Sequence, residues 1–312
     1  MRILVTGGAG FIGGHLVEAL VEDGHTVRVV DNLATGNLDN LEHVRDRIEF
    51  IKGDLCDPSV AARAVEGIEA ISHQAAIPSV PRSVKDPIES HHACCNTTVN
   101  MLNAAREHGV RRFVYAASSS AYGDNPDLPK IETMRAEPRS PYAVAKLAGE
   151  YYLAAFSACY GLDAIALRYF NIFGPRQDPS SPYSGVIARF TTLMMQGKRP
   201  VIFGDGSQTR DFVYVANAVH ANVLALTTSD KLNGCCVNIG TATRTSLNDL
   251  VRELNTVLST DLQPLYEAPR TGDVMHSVAD IALAQGVLNY KPVVTFAEGL
   301  ARTIAAVPAM AR

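Results

Sequence analysis

The chain has 312 residues, 47% of them hydrophobic, which is enough apolar material for one large domain or two unequal ones. Its net charge of −4 and lack of any basic run argue against a nucleic-acid or anionic-membrane partner. Met1 to Thr6 runs directly into glycines with no long apolar leader, which reads as a soluble cytoplasmic protein.

Short β-rich runs then alternate with amphipathic stretches. Arg2 to Thr6, Thr26 to Val30, Ile48 to Lys52, Ala70 to Gln74, Arg112 to Ala117 and Ala164 to Tyr169 read as strands. Strands alternating with helices predict an α/β, Rossmann-type, doubly wound parallel sheet covered on both faces. Asp57-Pro58 starts one helix, with Asp as cap and Pro at the first helical position, and Pro141 opens another in the same way. After about Phe170 the pattern changes: Gly, Pro and Ser cluster at Gly174-Pro175 and from Asp178 to Gly185. Helices then alternate with short strands at Val201 to Phe203 and Cys236 to Ile239. The expected division is a first domain over 1–170 and a smaller α/β lobe over 171–312, some segments of which return to the first domain. The site should lie beyond the carboxyl ends of the strands.

Thr6-Gly7-Gly8-Ala9-Gly10-Phe11-Ile12-Gly13 follows the first strand and opens the first helix. It reads as G-x-G-x-x-G from Gly8 or as G-x-x-G-x-x-G from Gly7. Either register lets backbone approach a pyrophosphate at a helix N-terminus, though such turns also serve plain strand-to-helix connections. Asp31 ends the second strand, where its carboxylate would accept hydrogen bonds from ribose hydroxyls. Asn32 follows it, and no Arg there could hold a 2′-phosphate, so NAD is favoured over NADP. Asp54-Leu55 ends the third strand and would either meet the adenine edge or simply cap the strand end.

Tyr142 and Lys146, four apart, share a helix face. The ammonium can favour the phenolate and bring Tyr142 toward use as a general base near neutral pH. Six cysteines (Cys56, Cys94, Cys95, Cys159, Cys235, Cys236) lack C-x-x-C spacing and read as buried free thiols. His91 and His92 lack the partners of a zinc helix, so no metal is implied.

Gly7/Gly10/Gly13, Asp31, Ser118-Ser119-Ser120-Ala121-Tyr122-Gly123, Tyr142/Lys146, Arg168-Tyr169-Phe170-Asn171, Gly204-Asp205-Gly206 and Arg210-Asp211-Phe212 stand in order along nearly the whole chain. With these motifs the sequence resembles the extended short-chain dehydrogenases/reductases, and within them the NAD-dependent nucleotide-sugar epimerases of the UDP-glucose 4-epimerase type. The resemblance implies that Tyr142 takes the proton of the sugar 4-hydroxyl. Lys146 would support the phenolate and hold the nicotinamide ribose, and Ser118 would bond the reacting oxygen. It further implies cofactor contacts from Phe11, Ile12, Gly36, Ala75, Ala76 and Tyr169. Substrate contacts would come from Arg82, Ser119, Ser120, Asn171, Val186, Arg210 and Arg270, with Val201 to Phe203 at the nucleobase. Dehydratases and decarboxylases of the superfamily place an acidic residue where Ser119 or Ser120 stands here.

Ser277 matches a family position where a bulky Tyr leaves little room at the sugar's 2-substituent, so a small residue should admit an N-acetyl group. Ser79-Val80-Pro81-Arg82-Ser83 and Arg176-Gln177-Asp178-Pro179 are similar to epimerases acting on N-acetylhexosamines. A UDP-glucuronate 4-epimerase would carry a further basic residue where Asp178 stands. Departures from the family pattern are Cys94 for Asn, Thr97 for Gly and Asn217 for Asp; the last is expected to cap the helix that follows. Helices over Asp86 to His108 and Pro141 to Tyr160 are implied to pair two copies into a homodimer. An NAD-binding scaffold that has lost catalysis is the reading from another class, but such proteins commonly lose the Tyr or the Lys.

Overall fold

The computed structural model describes residues 1–177, 185–269 and 274–307. Its strands are β1 (Arg2–Thr6), β2 (Thr26–Asp31), β3 (Ile48–Lys52), β4 (Ala70–His73), β5 (Arg112–Ser118), β6 (Asp163–Tyr169) and β7 (Asn171–Phe173). They continue with β8 (Val201–Phe203), β9 (Thr209–Arg210), β10 (Phe212–Tyr214), β11 (Cys235–Ile239), β12 (Thr245–Ser246) and β13 (Leu265–Glu267). The first helices are α1 (Phe11–Glu22), α2 (Pro58–Val65), α3 (Val80–Lys85), α4 (Pro87–His91), α5 (Thr97–Glu107) and α6 (Pro141–Tyr160). The remaining ones are α7 (Val186–Met195), α8 (Val215–Thr227), α9 (Leu247–Leu258), α10 (Ala282–Leu288) and α11 (Phe296–Ala305).

Seven strands form one parallel sheet in the order β11-β6-β5-β4-β1-β2-β3. Chain order reverses between β1 and β4, which opens the crevice where a doubly wound sheet binds its ligand. Thr6 is level with Val30 and His73, Asp31 with Lys52, and Ser118 with Tyr169. The polar residues at the carboxyl ends therefore share one rim.

Along β1, Ile3 and Val5 enter one apolar layer while Leu4 enters the other, and all three are fully buried. This is the pattern of a strand covered on both faces, each such side chain contributing about 1.5 to 3 kcal/mol. Outside the main sheet, among the described residues, stand the short pairs β7–β10, β9–β12 and β8–β13. β11, expected among the later short strands, instead joins the main sheet beside β6.

The helix expected over Asp86 to His108 is interrupted. Asp86 caps α4, a π-helical turn spans His92–Asn96, and α5 follows. Asn217 does not cap α8. It is fully buried within the first turn, donates from Nδ2 to the Val294 carbonyl at 2.8 Å, and accepts from the amides of Val293 and Val294 at 2.7 and 2.9 Å. An ionised Asp has no donor for the first of these bonds. All six cysteines are free; Cys94 and Cys95 are buried but Cys159 is exposed on α6, contrary to expectation. Among the described residues no helix is long and apolar enough to cross a membrane.

Candidate active site

The glycine-rich turn is shaped by close backbone approach. Gly7 has φ 64°, and a Cβ there would sit 2.8 Å from Ala75 Cα; one at Gly13 would strike the Gly7 carbonyl. Gly10 begins α1 with no side-chain cap and no acidic residue in the first turn. The amide hydrogens and positive dipole end are thus left for an anion, the fit a dinucleotide pyrophosphate requires. Asp31 is buried at the rim, accepting from Ala9 N–H at 3.0 Å and Leu33 N–H at 2.8 Å. Burial raises its carboxyl, while those two bonds oppose the shift. Exposed Asn32 donates to Asp54 Oδ2 at 3.2 Å, and Asp54 also accepts from Cys56 N–H at 2.8 Å, which lowers its carboxyl. Leu55 is buried, and Gly36 packs on Ala9. Ala75 N–H donates to Thr6 Oγ1 at 3.1 Å, and Ala76 packs beside Tyr142.

α6 positions Tyr142 and Lys146. Ser140 caps it by accepting from Ala143 N–H, Pro141 takes the first position and Gly161, at φ 70°, ends it. Gly149 lets the helix press on β5, since a Cβ there would run into the Tyr115 hydroxyl, which itself donates to the Lys146 carbonyl at 3.2 Å. Lys146 is 3% exposed; its Nζ donates to the Ala116 carbonyl at 2.8 Å and lies 5.0 Å from the Tyr115 ring centroid. Burial lowers the Lys146 ammonium. Tyr142 is partly buried beside Cys94 and Ala145. Burial pushes its phenol well above the ordinary tyrosine range, the Cys94 thiol adds to this, and a hydrogen bond with Ser118 opposes it. Lys146 keeps its ammonium on the same helix face as Tyr142 while it donates to a main-chain carbonyl. Ser118 caps the single 3₁₀ turn Ser119–Tyr122, accepting from Ser120 N–H at 3.2 Å and Ser120 Oγ–H at 2.9 Å.

Other expected site residues are distributed as follows. The Tyr169 hydroxyl accepts from Asn222 Nδ2 at 2.6 Å and from Gln74 Nε2 at 3.1 Å. Arg82 makes a two-pronged ion pair with Glu89. Asn171 donates to the Asp211 carbonyl through both N–H and Nδ2, and Arg210 donates to the carbonyls of Thr209 and Met275. Phe203 lines a cleft of about 740 Å³ with Gln208, Tyr266, Glu267, Val274 and Met275. Val201 is half-buried on the same strand, and half-buried Val186 begins α7. Ser277 is half-buried, its N–H donating to the Thr209 carbonyl at 3.1 Å. Arg270 and Asp178 lie outside the described residues.

Two supports were not singled out from sequence. The buried Glu150–Arg168 ion pair, at 2.6 Å, ties α6 to β6 one turn beyond Lys146. The fully buried Asp211 carboxylate accepts from Thr241 N–H, Thr241 Oγ–H, Ala242 N–H and Ala279 N–H, joining β9–β10 to two later loops. Glu150 four residues after Lys146 was the available signal for the first; the second depends on contacts distant in sequence.

The chain matches the NAD dependent epimerase/dehydratase family over residues 3–240. It is 40% identical over 308 residues to the UDP-glucose 4-epimerase of Mycolicibacterium smegmatis, covering 97% of each chain. Among solved structures it resembles a UDP-glucose 4-epimerase with UDP-glucose from Thermotoga maritima, at 39% identity and TM-score 0.92, covering 98% of each chain. It also resembles a UDP-N-acetylglucosamine 4-epimerase from Methanobrevibacter ruminantium in complex with UDP-N-acetylmuramic acid. There the identity is 36% and the TM-score 0.93, over 98% of this chain and 97% of the other.

Proposed function

The chain belongs to the NAD dependent epimerase/dehydratase family, and on that premise we propose that it interconverts UDP-glucose with UDP-galactose and UDP-N-acetylglucosamine with UDP-N-acetylgalactosamine. It is a nucleotide-sugar 4-epimerase that uses NAD. The observation that carries the reading is Tyr142 on the helix that buries Lys146, with Ser118 at the end of β5, at the rim shared with the glycine-rich turn and Asp31. Residues 1–170 form the NAD domain and 171–312 mainly the substrate lobe, with β11 returning to the sheet.

NAD, when bound, supplies a hydride acceptor for the sugar C4 that later gives the hydride back. Tyr142 Oη takes the proton of the 4-hydroxyl and returns it once the 4-ketose has turned over in the pocket. Ser118 Oγ would hold the reacting oxygen, and Lys146, whose Nζ donates to the Ala116 carbonyl, would hold the nicotinamide ribose and support the phenolate. Ser119 and Ser120, without a carboxylate, favour a reaction that begins and ends with hydride transfer rather than elimination. Asp31 would bond the adenosine ribose and disfavour a 2′-phosphate.

Purified protein should carry NAD and need little or none added, as extraction and quantitation of bound nucleotide will check. Finding NADP, or an absolute need for an external reductant, would sink the mechanism. Turnover of UDP-glucose, UDP-N-acetylglucosamine and UDP-glucuronate, compared as kcat/KM, separates the proposed substrates from the uronate. No turnover of any, with NAD bound, favours a scaffold.

The second proposal is a homodimer. α4 and α5 pack against α6, and these helices carry the exposed apolar side chains Ile88, Val144 and Tyr151; Ile88 is 70% and Tyr151 65% exposed. Apolar side chains grouped in this way are the mark of an interaction surface. Light scattering should give twice the chain mass at micromolar concentration, and a monomer would reject the dimer.

A further inference from the structure

Pro175 and Arg176 follow β7, just before the segment that leads into the second lobe, yet both are tied to the opposite end of the cofactor site. Arg176 Nη2 donates to Glu18 Oε1 on α1 at 2.7 Å, with 23% and 18% of the two side chains exposed. Its Nη1 donates to the Asn40 carbonyl at 3.2 Å and lies across Gly14, where a Cβ would come within 3.7 Å of it. One residue earlier, the Pro175 carbonyl is 3.1 Å from His15 Nε2. A carbonyl only accepts, so Nε2 carries the proton in this contact.

Asn40 carries the connection onward. Its Nδ2 donates to the Ala9 carbonyl at 2.8 Å, Asn37 N–H donates to the same oxygen at 2.9 Å, and Ala9 N–H reaches Asp31 Oδ2 at 3.0 Å. A bonded path therefore runs from Arg176 through Asn40 and Ala9 to Asp31. Arg176 itself has φ 66°, a left-handed conformation that a non-glycine residue keeps only when its surroundings hold it there. The glycine-rich turn has few side chains with which to stiffen itself, and beyond its own main-chain bonds, such as Gly10 N–H to the Gly7 carbonyl at 3.1 Å, it is braced by these neighbours.

We propose that Arg176 is a positioning residue for dinucleotide retention: with Glu18 and Asn40 it clasps the start of the substrate lobe to the glycine-rich turn and Asp31. The inference rests on the NAD-dependent reading above and deepens it. A closed redox cycle regenerates NAD within each turnover, so the dinucleotide can stay bound between turnovers, and a turn held in its binding shape slows release because less ordering is left to the bound state. Arg176 does not touch the sugar's reacting atoms in this role. Its removal should therefore act on cofactor release rather than on chemistry.

The test compares holoenzyme of the parent with Arg176→Met, Arg176→Lys and Glu18→Gln, each checked for folding by thermal unfolding. NAD remaining per subunit is followed after dilution and dialysis, and the NAD Kd is titrated. Arg176→Met should lose NAD about tenfold faster or more, since losses of this kind appear mainly in the off-rate. Glu18→Gln should move in the same direction, Arg176→Lys should recover part of the retention, and added NAD should restore the parental kcat. Should Arg176→Met fail to fold, Glu18→Gln decides. Folded variants that hold NAD as the parent does, or that lose kcat with NAD still bound, overturn the clasp alone. A parent that neither carries nor takes up NAD overturns the functional reading, and the clasp with it.

Discussion

Tyr142→Phe is expected to keep the fold and bound NAD while losing about 10²- to 10⁴-fold in kcat, the usual contribution of a positioned general acid–base. The substitution removes one hydroxyl and preserves the ring that packs on Cys94 and Ala145. The hydrogen bond it deletes is with Ser118, which stays satisfied by Ser120. The loss should therefore fall on chemistry, not on stability. Measuring kcat beside NAD content and the unfolding midpoint separates the two. Near-parental turnover would remove Tyr142 from the mechanism, and an equal collapse of NAD content would make the residue structural.

Ser277→Tyr should selectively remove the acetylated substrates. The Ser277 backbone is held by the Thr209 carbonyl, next to the bridge between Thr209 and His276, so a larger side chain cannot be relieved simply by sliding the segment. Overpacking is penalised by roughly 1 to 3 kcal/mol. At about 1.4 kcal/mol per decade this becomes a loss of about 5- to 150-fold in kcat/KM for UDP-N-acetylglucosamine. UDP-glucose, with only a hydroxyl at C2, should be turned over as before. Equal effects on both sugars, or no acetylated-sugar turnover in the parent, would refute the gatekeeper.

Much of this molecule was written locally. The six N-terminal strands were visible because each is a short β-rich run that needs no information beyond itself, and their observed limits differ from the expected ones by at most one residue. The Gly7-to-Gly13 turn, Asp31 at the strand end, and Tyr142 and Lys146 behind a Ser140–Pro141 helix start were equally legible. Each depends on chemistry within a few residues: glycine for close backbone approach, a cap for the first turn, a spacing of four for one helix face.

What tertiary structure decided involves partners far apart in sequence. β11 joins β6, a strand far from it in sequence, and a π-turn at His92–Asn96 interrupts the helix where that turn packs on α6. Asn217 gave up the expected capping role because two amides and a carbonyl near Val294 offered its amide group three bonds. The i, i+4 pair of Tyr142 and Lys146 followed from the sequence, but the state of the phenol did not. Burial is the largest influence on the phenol and raises it, because desolvation depends on everything that surrounds a group while spacing records only one neighbour.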